Sequence, residues 1–464
     1  MTQVSDEPEA DLSDCRAMAE RDESDLPDGD PDSIVRRAPF SDNPQVGVRG
    51  QRAQLRILEA ALEVFGELGY HQTGIARITD VAGCTRASFY QYFSSKEDVF
   101  RHLAGQVARQ LIASAEALDA ITRDEAGWKS VRAWVDRYAD IYDRYQPVFE
   151  AFQAAEENDD SLTTSSARIT QRHVATVRAK VAASTLPSRR VDDVIELLLN
   201  CMTRLPRNGR VLRGATPTRP LDEARLRTAL TDVLHRTLFG LDERVNVQPT
   251  PSQRAGRVPR GAELLAELTL MAAQTDLTPA GARTLGRLLD AAHVVLITRG
   301  YHGTRVDDIT TAAGLSHGAF YRYFENKDEV VRLLATRAIQ RVSISFNDVP
   351  DLGRPPTPDG STALRRWLRQ YATAYASEAA MIRVWIEATA GDVVRSMESA
   401  AALDWGRARM ARYLSPRGFG DIDSDALLLV VLLDALGARG RGGDVIEAAA
   451  LVVERGLLGT TPPA

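Results

Sequence analysis

Two short segments of this chain combine polar and basic side chains at a spacing that suits binding rather than catalysis. They follow Gly83 and Gly314 and read CTRASFYQYFSSK and LSHGAFYRYFENK. Their hydroxyl, guanidinium, carboxamide and ammonium groups are the groups that bind phosphate oxygens and the edges of nucleobases. The chemistry that these residues indicate is recognition of a nucleic acid.

The sequence offers no persuasive catalytic or metal-binding pattern. Its seven histidines show no HxxxH or HExxH arrangement, and neither a GxSxG turn nor a phosphate-binding glycine loop occurs. The cysteines Cys15, Cys84 and Cys201 form no CxxC pair. We therefore expect a protein that is not an enzyme and that uses no cofactor and no metal.

The two polar segments belong to a module that occurs twice. Residues 57–100 align with residues 288–331 at 18 identical positions of 44, with an offset of 231 residues. In the first copy, apolar residues recur at helical spacing up to Leu68, and Gly69 suits the left-handed residue that ends a helix. His71 and His302 hold equivalent positions beside this helix end, where surface or capping roles are expected. Two copies of one module predict two binding surfaces.

Each module is predicted to contain two short helices joined by a glycine turn. A hydroxyl side chain is expected to cap each helix. These caps are Thr73 and Thr85 in the first module, and Thr304 and Ser316 in the second. The second helix of each pair is predicted at residues 86–92 and 317–323. Such a pair presents its second helix to the major groove of DNA.

The ending FYxYFxxK(E/D), with an AG turn and a GYxxT segment before it, resembles the DNA-binding domain of TetR-family transcriptional regulators. The resemblance is strong over both modules and holds only in outline elsewhere. It implies a three-helix DNA-binding head, a connecting fourth helix, a larger helical domain for a small molecule, and pairing of two chains. Here both units lie in one polypeptide, which resembles the minority of double-TetR regulators, some of which control lipid-handling genes.

The resemblance also implies the residues that contact DNA. The positions that match phosphate contacts are Thr73, Tyr90, Tyr92 and Lys96 in the first module, and Thr304, Tyr321, Tyr323 and Lys327 in the second. The positions that match base contacts are Arg86, Ala87, Ser88 and Gln91 in the first, and His317, Gly318, Ala319 and Arg322 in the second. Because arginine suits guanine and glutamine suits adenine, unequal helices should prefer unequal half-sites. For the tyrosines, closing the head core is the alternative role.

A fainter repeat of aromatic residues follows each module. Trp134, Tyr138 and Tyr142 recur every four residues, as do Trp367, Tyr371 and Tyr375, so each triplet lies along one helix face. With Phe149, Phe152 and Trp385, these aromatics are predicted to line an apolar ligand pocket. The alternative is that they only pack the domain.

Apolar segments at the end of each unit are too hydrophobic to face water. They are residues 191–205 and 221–241 in the first unit, and 425–436 and 445–458 in the second. In the TetR family the last two helices of each chain form a four-helix dimer interface, and here one chain could supply all four. A monomer that acts as a pseudo-dimer is the first choice, and a homodimer is the alternative.

Charge and hydropathy limit where the protein is expected to act and which partners it is expected to have. Residues 1–33 hold 12 acidic residues and two arginines, which gives this segment a net charge of −10. Because the whole chain carries −6, the remaining residues together carry +4. Such a segment is predicted to be disordered. No run of 18 uninterrupted apolar residues and no signal peptide is evident. We therefore expect a cytoplasmic protein with no membrane partner.

The sequence thus predicts an all-α protein of two TetR-like units. The expected ranges are an acidic tail (1–45), a DNA-binding head (46–100), a helical ligand-binding and pairing domain (101–245), a linker with a helix (246–281), a second head (282–331) and a second helical domain (332–464). The expected function is a transcriptional repressor that an apolar or amphipathic, lipid-like molecule releases from an asymmetric operator.

The alternative function concerns the second head. Asp307 and Asp308 stand where the first head has Ala76 and Arg77, and their negative charges would repel phosphate. The second head would then be a structural or partner-binding unit, and DNA binding would need two chains.

Overall fold

The computed structural model describes residues 48–156, 160–214, 222–242, 278–351, 357–389, 393–417, 419–439 and 442–460. Over these ranges the chain forms 17 α-helices, and its β-structure is limited to one isolated bridge between Ile121 and Val181. The predicted all-α fold is confirmed. The acidic tail and most of the predicted linker lie outside the described residues. Within the described part, no helix is long and apolar enough to span a bilayer.

The first unit consists of a head, a connecting helix and a helical domain. The head contains α1 (Val48–Leu68), α2 (Ile75–Ala82) and α3 (Arg86–Tyr92), and α4 (Lys96–Glu116) connects it to α5 (Glu125–Arg144), α6 (Gln146–Glu156), α7 (Asp160–Lys180), α8 (Ser188–Gly214) and α9 (Glu223–Phe239). Gly69, with φ of 76°, ends α1 as predicted. The Ser95 side chain caps α4 by accepting from the main-chain N–H of Asp98.

The second unit repeats this order with one helix fewer. Its head contains α10 (Pro279–Arg299), α11 (Val306–Ala313) and α12 (His317–Tyr321), and the remaining helices are α13 (Lys327–Ile344), α14 (Pro358–Thr389), α15 (Val393–Leu414), α16 (Ile422–Arg439) and α17 (Gly443–Leu451), which a π-helical turn extends (Val452–Leu457). Helix α12 ends two residues before the predicted Tyr323.

One proline explains the missing helix. When the aromatic triplets are aligned, α14, an unbroken helix of 32 residues, corresponds to both α5 and α6. Pro147 stands in the first turn of α6, where its ring excludes the helical hydrogen bond that would continue α5. The corresponding residue of α14 is Ala380. The first unit therefore has a break between two helices where the second has one unbroken helix.

Each head has its own apolar core. Phe89 and Phe93 are fully buried in the first, and Phe320 and Phe324 are buried in the second. The helical domain completes both cores, since Tyr145 and Val148 pack into the first head, and Met381, Val384 and Trp385 pack into the second.

The two units pair within the chain. Helix α8 packs against α15, α16 and α17, and α9 packs against α16 and the π-helical turn. A single apolar core runs through both units at this interface. The units are thus arranged as in the predicted intramolecular pseudo-dimer, and the apolar segments at the end of each unit cover each other.

Among the described residues, four ion pairs that cross this interface have the same polarity. In each, the first unit supplies an arginine and the second an aspartate. The N–O distances are 2.6 Å for Arg190–Asp444, 3.1 Å for Arg204–Asp434, 2.8 Å for Arg225–Asp421 and 3.5 Å for Arg236–Asp425. Each arginine of the first unit therefore meets a carboxylate of the second, so that the two surfaces are electrostatically complementary.

Candidate DNA-binding heads and effector cavity

The glycine turn between the two short helices has the same geometry in both heads. Gly83 and Gly314 have φ of 62° and 61°, in the left-handed region. Two residues later, the Thr85 hydroxyl accepts from the Ser88 N–H at 3.1 Å, and the Ser316 hydroxyl accepts from the Ala319 N–H at 3.3 Å. Thr85 and Ser316 are the predicted helix caps.

Thr73 and Thr304 do not have the predicted role. The N-cap residues of α2 and α11 are Gly74 and Arg305, each one position after the predicted threonine. Both threonines are buried, and their hydroxyls donate to the main-chain oxygens of Gly69 at 2.8 Å and Gly300 at 2.7 Å. The prediction that they cap these helices was wrong, because the hydroxyl turns back to the preceding loop. A hydroxyl bound in this way does not face a phosphate.

We expect Thr73→Val and Thr304→Val each to lower the free energy of unfolding by about 1 kcal/mol, because the hydrogen bond from the buried hydroxyl to the loop carbonyl is lost. Urea denaturation would measure this. Thr284→Val, which removes an exposed hydroxyl bonded within α10, is the matched control and should change stability by less than about 0.5 kcal/mol. If the variants instead lost DNA affinity with unchanged stability, the two hydroxyls would be assigned to phosphate contacts.

The proposed base-reading faces point to solvent. Arg86, Ala87 and Gln91 are exposed on α3, and Ser88 is half-buried. In the second head His317, Gly318 and Arg322 are exposed, and Ala319 is half-buried. Arg322 lies just beyond the end of α12. Both faces could therefore enter a major groove, and their contacts to DNA remain predictions.

The four tyrosines divide into two classes. Tyr90 and Tyr321 are 50% and 56% exposed, so their hydroxyls are available to a phosphate. Tyr92 and Tyr323 are half-buried, and the Tyr323 hydroxyl donates to the Gly281 oxygen at 3.2 Å. The inner tyrosines close the head cores, which was the alternative role.

Lys96 and Lys327 hold a loop in place. The Lys96 ammonium donates to the Tyr70 oxygen at 2.9 Å and lies 4.4 Å from the centre of the Tyr70 ring. Lys327 makes the same contacts with Tyr301, at 2.6 Å and 3.9 Å. Partial burial lowers the pKa of Lys96. Both lysines therefore fix the first turn of the connecting helix to the head, and they would meet a phosphate only from this fixed position.

The aspartates of the second head have partners. The Asp308 carboxylate accepts from the Arg305 N–H at 2.8 Å at the start of α11 and pairs with Arg299 at 2.5 Å. The main-chain hydrogen bond lowers the Asp308 pKa. Asp307 is exposed and contacts the imidazole of His317, the first residue of α12. Asp308 thus caps the start of α11, and Asp307 contacts a histidine on the reading helix.

The two heads touch through equivalent residues. The His71 and His302 rings stack with centroids 5.1 Å apart and planes 29° from parallel. Because these residues match in the repeat, the approximate two-fold axis between the units passes between them. Sequence analysis missed this contact, since it joins residues 231 positions apart.

A cavity of about 450 Å³ lies inside the first unit, against the second. Among the predicted pocket residues, those that line it are Tyr138, Tyr142, Phe149, Phe152 and Tyr375. The other four do not. Trp134, Trp367 and Tyr371 are buried in the core shared by the units, and Trp385 is buried in the second head. The burial of these four residues agrees with the alternative role, in which they pack the domain.

A few polar side chains lie among the apolar residues that line the cavity. The Arg204 side chain pairs with Asp434 at 3.1 Å, and the Tyr375 hydroxyl donates to the same carboxylate at 2.5 Å. The hydroxyls of Tyr138 and Thr203 are 2.7 Å apart. Burial raises the pKa of Tyr142 to about 12, so its hydroxyl stays protonated. The cavity therefore offers apolar surface with a few fixed polar groups, as small-molecule sites do.

His173 in the cavity wall is expected to make stability depend on pH. Burial lowers its pKa from 6.5 to about 4, so the folded chain favours the neutral ring. Stability should fall as the pH drops from the unfolded value of 6.5 toward 4, by about 2 kcal/mol between about pH 7.5 and pH 5. Urea denaturation of wild type and His173→Gln at both pH values would measure it. An undiminished pH dependence in the variant would contradict this assignment.

Comparison with known proteins agrees with the head geometry. Residues 57–103 and 288–334 each match the family described as bacterial regulatory proteins, tetR family. An uncharacterized HTH-type transcriptional regulator of Bacillus subtilis, YfiR, is 30% identical over 114 residues, 24% of this chain and 54% of that protein. The HTH-type transcriptional activator FasR of Mycolicibacterium smegmatis is 32% identical over 104 residues, 22% of this chain and 46% of that protein.

A third relative is the fatty acid metabolism regulator protein of Bacillus subtilis, 37% identical over 62 residues, 13% of this chain and 32% of that protein. The chain spans about half or less of the length of these three relatives.

Proposed function

This chain is a tandem transcriptional regulator of the tetR type, and from that premise we propose that it is a repressor that a small apolar or amphipathic molecule releases from an asymmetric operator. The observation that carries the proposal is the presence of two exposed, unequal reading helices in one chain whose units pair with each other. One chain then presents both heads to one stretch of DNA.

The operator asymmetry follows from the reading faces. The first head offers Arg86 and Gln91, which suit guanine and adenine. The second offers Arg322 and His317, whose ring contacts the Asp307 carboxylate. The two half-sites should therefore differ in sequence, with their centres about 34 Å apart, the spacing of successive major grooves.

Release by a ligand rests on the cavity and the connecting helix. Helix α4 begins directly after the first head and lines the cavity through Val107, Ala108 and Leu111. A ligand that favours a shifted α4 would move the first reading helix away from the spacing that DNA requires. The apolar walls suit a chain-like or ring-like ligand. The name of the fatty acid regulator among the relatives is consistent with lipid-like chemistry.

The domain ranges form part of the proposal. We assign DNA recognition to residues 46–100 and 282–331, and ligand binding and pairing to 101–245 and 332–464. The exposed residues of α3 and α12, which include Tyr90 and Tyr321, and Arg322 just beyond α12 are the proposed DNA contacts.

A second candidate function is favoured by the contact between Asp307 and His317. If this pair keeps the histidine from a base, the second head positions the first and does not itself read DNA.

The experiment that separates the two candidates is a footprint of the full chain on DNA flanking its own gene, with native mass spectrometry of the complex. The proposal expects two unequal protected half-sites about one helical turn apart and one chain per site. Protection of a single half-site would support the second candidate. A symmetric pair that needs two chains would overturn the single-chain proposal.

A further inference from the structure

The wall of the cavity is built by both units. Helices α4 to α8 of the first unit form one side, and α14 and α16 of the second form the other. Five residues of α14 contribute, which are Tyr375, Ala379, Ile382, Arg383 and Ile386. Asp434 of α16 joins them and pairs with Arg204 of the first unit. A molecule in this cavity would touch both halves of the chain.

On the first side, α4 joins the cavity to the first head. Its N-terminal half places Phe100 and Leu103 in the core of that head, and its middle lines the cavity at Ala104 and Ala108. Both sets lie on one helix of 21 residues. A shift of α4 at the cavity is therefore also a shift in the packing of the head.

On the second side, α14 joins the cavity to the second head. Ile382 and Ile386 face the cavity, whereas Met381 and Trp385, one position earlier in each case, are buried in the core of the second head. The Glu387 carboxylate also accepts from the Tyr301 N–H at 2.8 Å in that head. Because Pro147 has no counterpart in α14, this connection is one unbroken helix.

Two members of the aromatic triplet of the second unit are packed in the apolar core that the units share. Trp367 and Tyr371 are buried against Phe346, whose ring lies 5.7 Å from that of Tyr371 and 5.7 Å from that of Trp405. The Trp367 indole donates to the Ser345 oxygen at 2.7 Å. Tyr375, the third member, lines the cavity of the first unit instead.

We propose that one ligand in this shared cavity acts on both heads at once, on the first through α4 and on the second through α14. The second unit then forms part of the ligand site and also transmits ligand binding to its own head. This inference rests on the proposed function for the role of the ligand. Its physical basis is that a ligand in contact with both helices biases both if its affinity differs between their arrangements.

Hydrogen exchange of the full chain, measured without DNA, tests the connection. Ala108→Phe puts a ring into the cavity from the first unit, and Ala379→Phe does so from the second. We expect Ala108→Phe to change exchange rates in α10 to α12 and α14 by about fivefold or more, and Ala379→Phe to do the same in α1 to α3. Ala113→Phe, on the exposed side of α4, and Ser377→Phe, on the exposed side of α14, are the matched controls.

Changes confined to the unit that carries the substitution would overturn the proposal, as would equal changes in the controls. If one variant fails to fold, the other still reports transmission across the interface. Titration of the wild type with anilinonaphthalene sulfonate gives a second measurement, in which both heads should respond with one midpoint at one probe per chain. Two midpoints would also overturn the proposal. Because DNA is absent, these results are separate from whether the chain represses transcription.

Discussion

Asp425→Asn should lower the free energy of unfolding by about 3–5 kcal/mol, the range for breaking a buried ion pair. Asp425 is fully buried, contacts the guanidinium of Arg417 within its own unit and lies 3.5 Å from that of Arg236 across the interface. Arg236 is also fully buried and donates to the Gly456 oxygen at 2.7 Å. Without the carboxylate, two buried guanidinium groups would lose an anion that water cannot replace.

Urea denaturation followed by circular dichroism would measure the loss. Asp421→Asn is the matched control, because its partner Arg225 is 47% exposed and such pairs contribute about 1 kcal/mol or less. An Asp425→Asn effect no larger than that of the control would mean that the buried network does not hold the units together. The large expected effect reflects the polarity of the interface, in which the second unit supplies the anions.

Arg86→Ala should weaken binding to the operator by about 5- to 150-fold, the equivalent of 1–3 kcal/mol for one bidentate base contact. The side chain is exposed at the first position of α3. The loss should be confined to operators with the preferred base pair, so that preference at that position relaxes. His317→Ala should have a smaller effect, because Asp307 already engages that ring.

Fluorescence anisotropy at fixed salt, with the operator and with single base-pair changes, would measure both variants. Fixed salt matters because phosphate contacts make affinity depend on ionic strength. A uniform loss of affinity across all sequences would assign Arg86 to a phosphate and not to a base. An effect of His317→Ala equal to that of Arg86→Ala would show that the pair with Asp307 opens on DNA.

The sequence determined the heads because their signals are local. Apolar residues at helical spacing, the glycine turns at Gly83 and Gly314, and the caps Thr85 and Ser316 lie within a few residues of the structures that they specify. For the same reason α3 has the predicted bounds. The error at Thr73 was one residue in register, because a hydroxyl near a helix start can bond to the turn before it as easily as to the helix after it.

The tertiary structure decided what each aromatic residue does. Trp134 and Tyr138 lie on one face of α5, yet the first is core and the second lines the cavity, because the covering helices come from distant parts of the chain. The stacked His71 and His302, the polarity of the arginine–aspartate pairs and the shared wall on α14 likewise join residues far apart in sequence. Periodicity specifies which face of a helix is buried, but only the packing of the two units determines what that face meets.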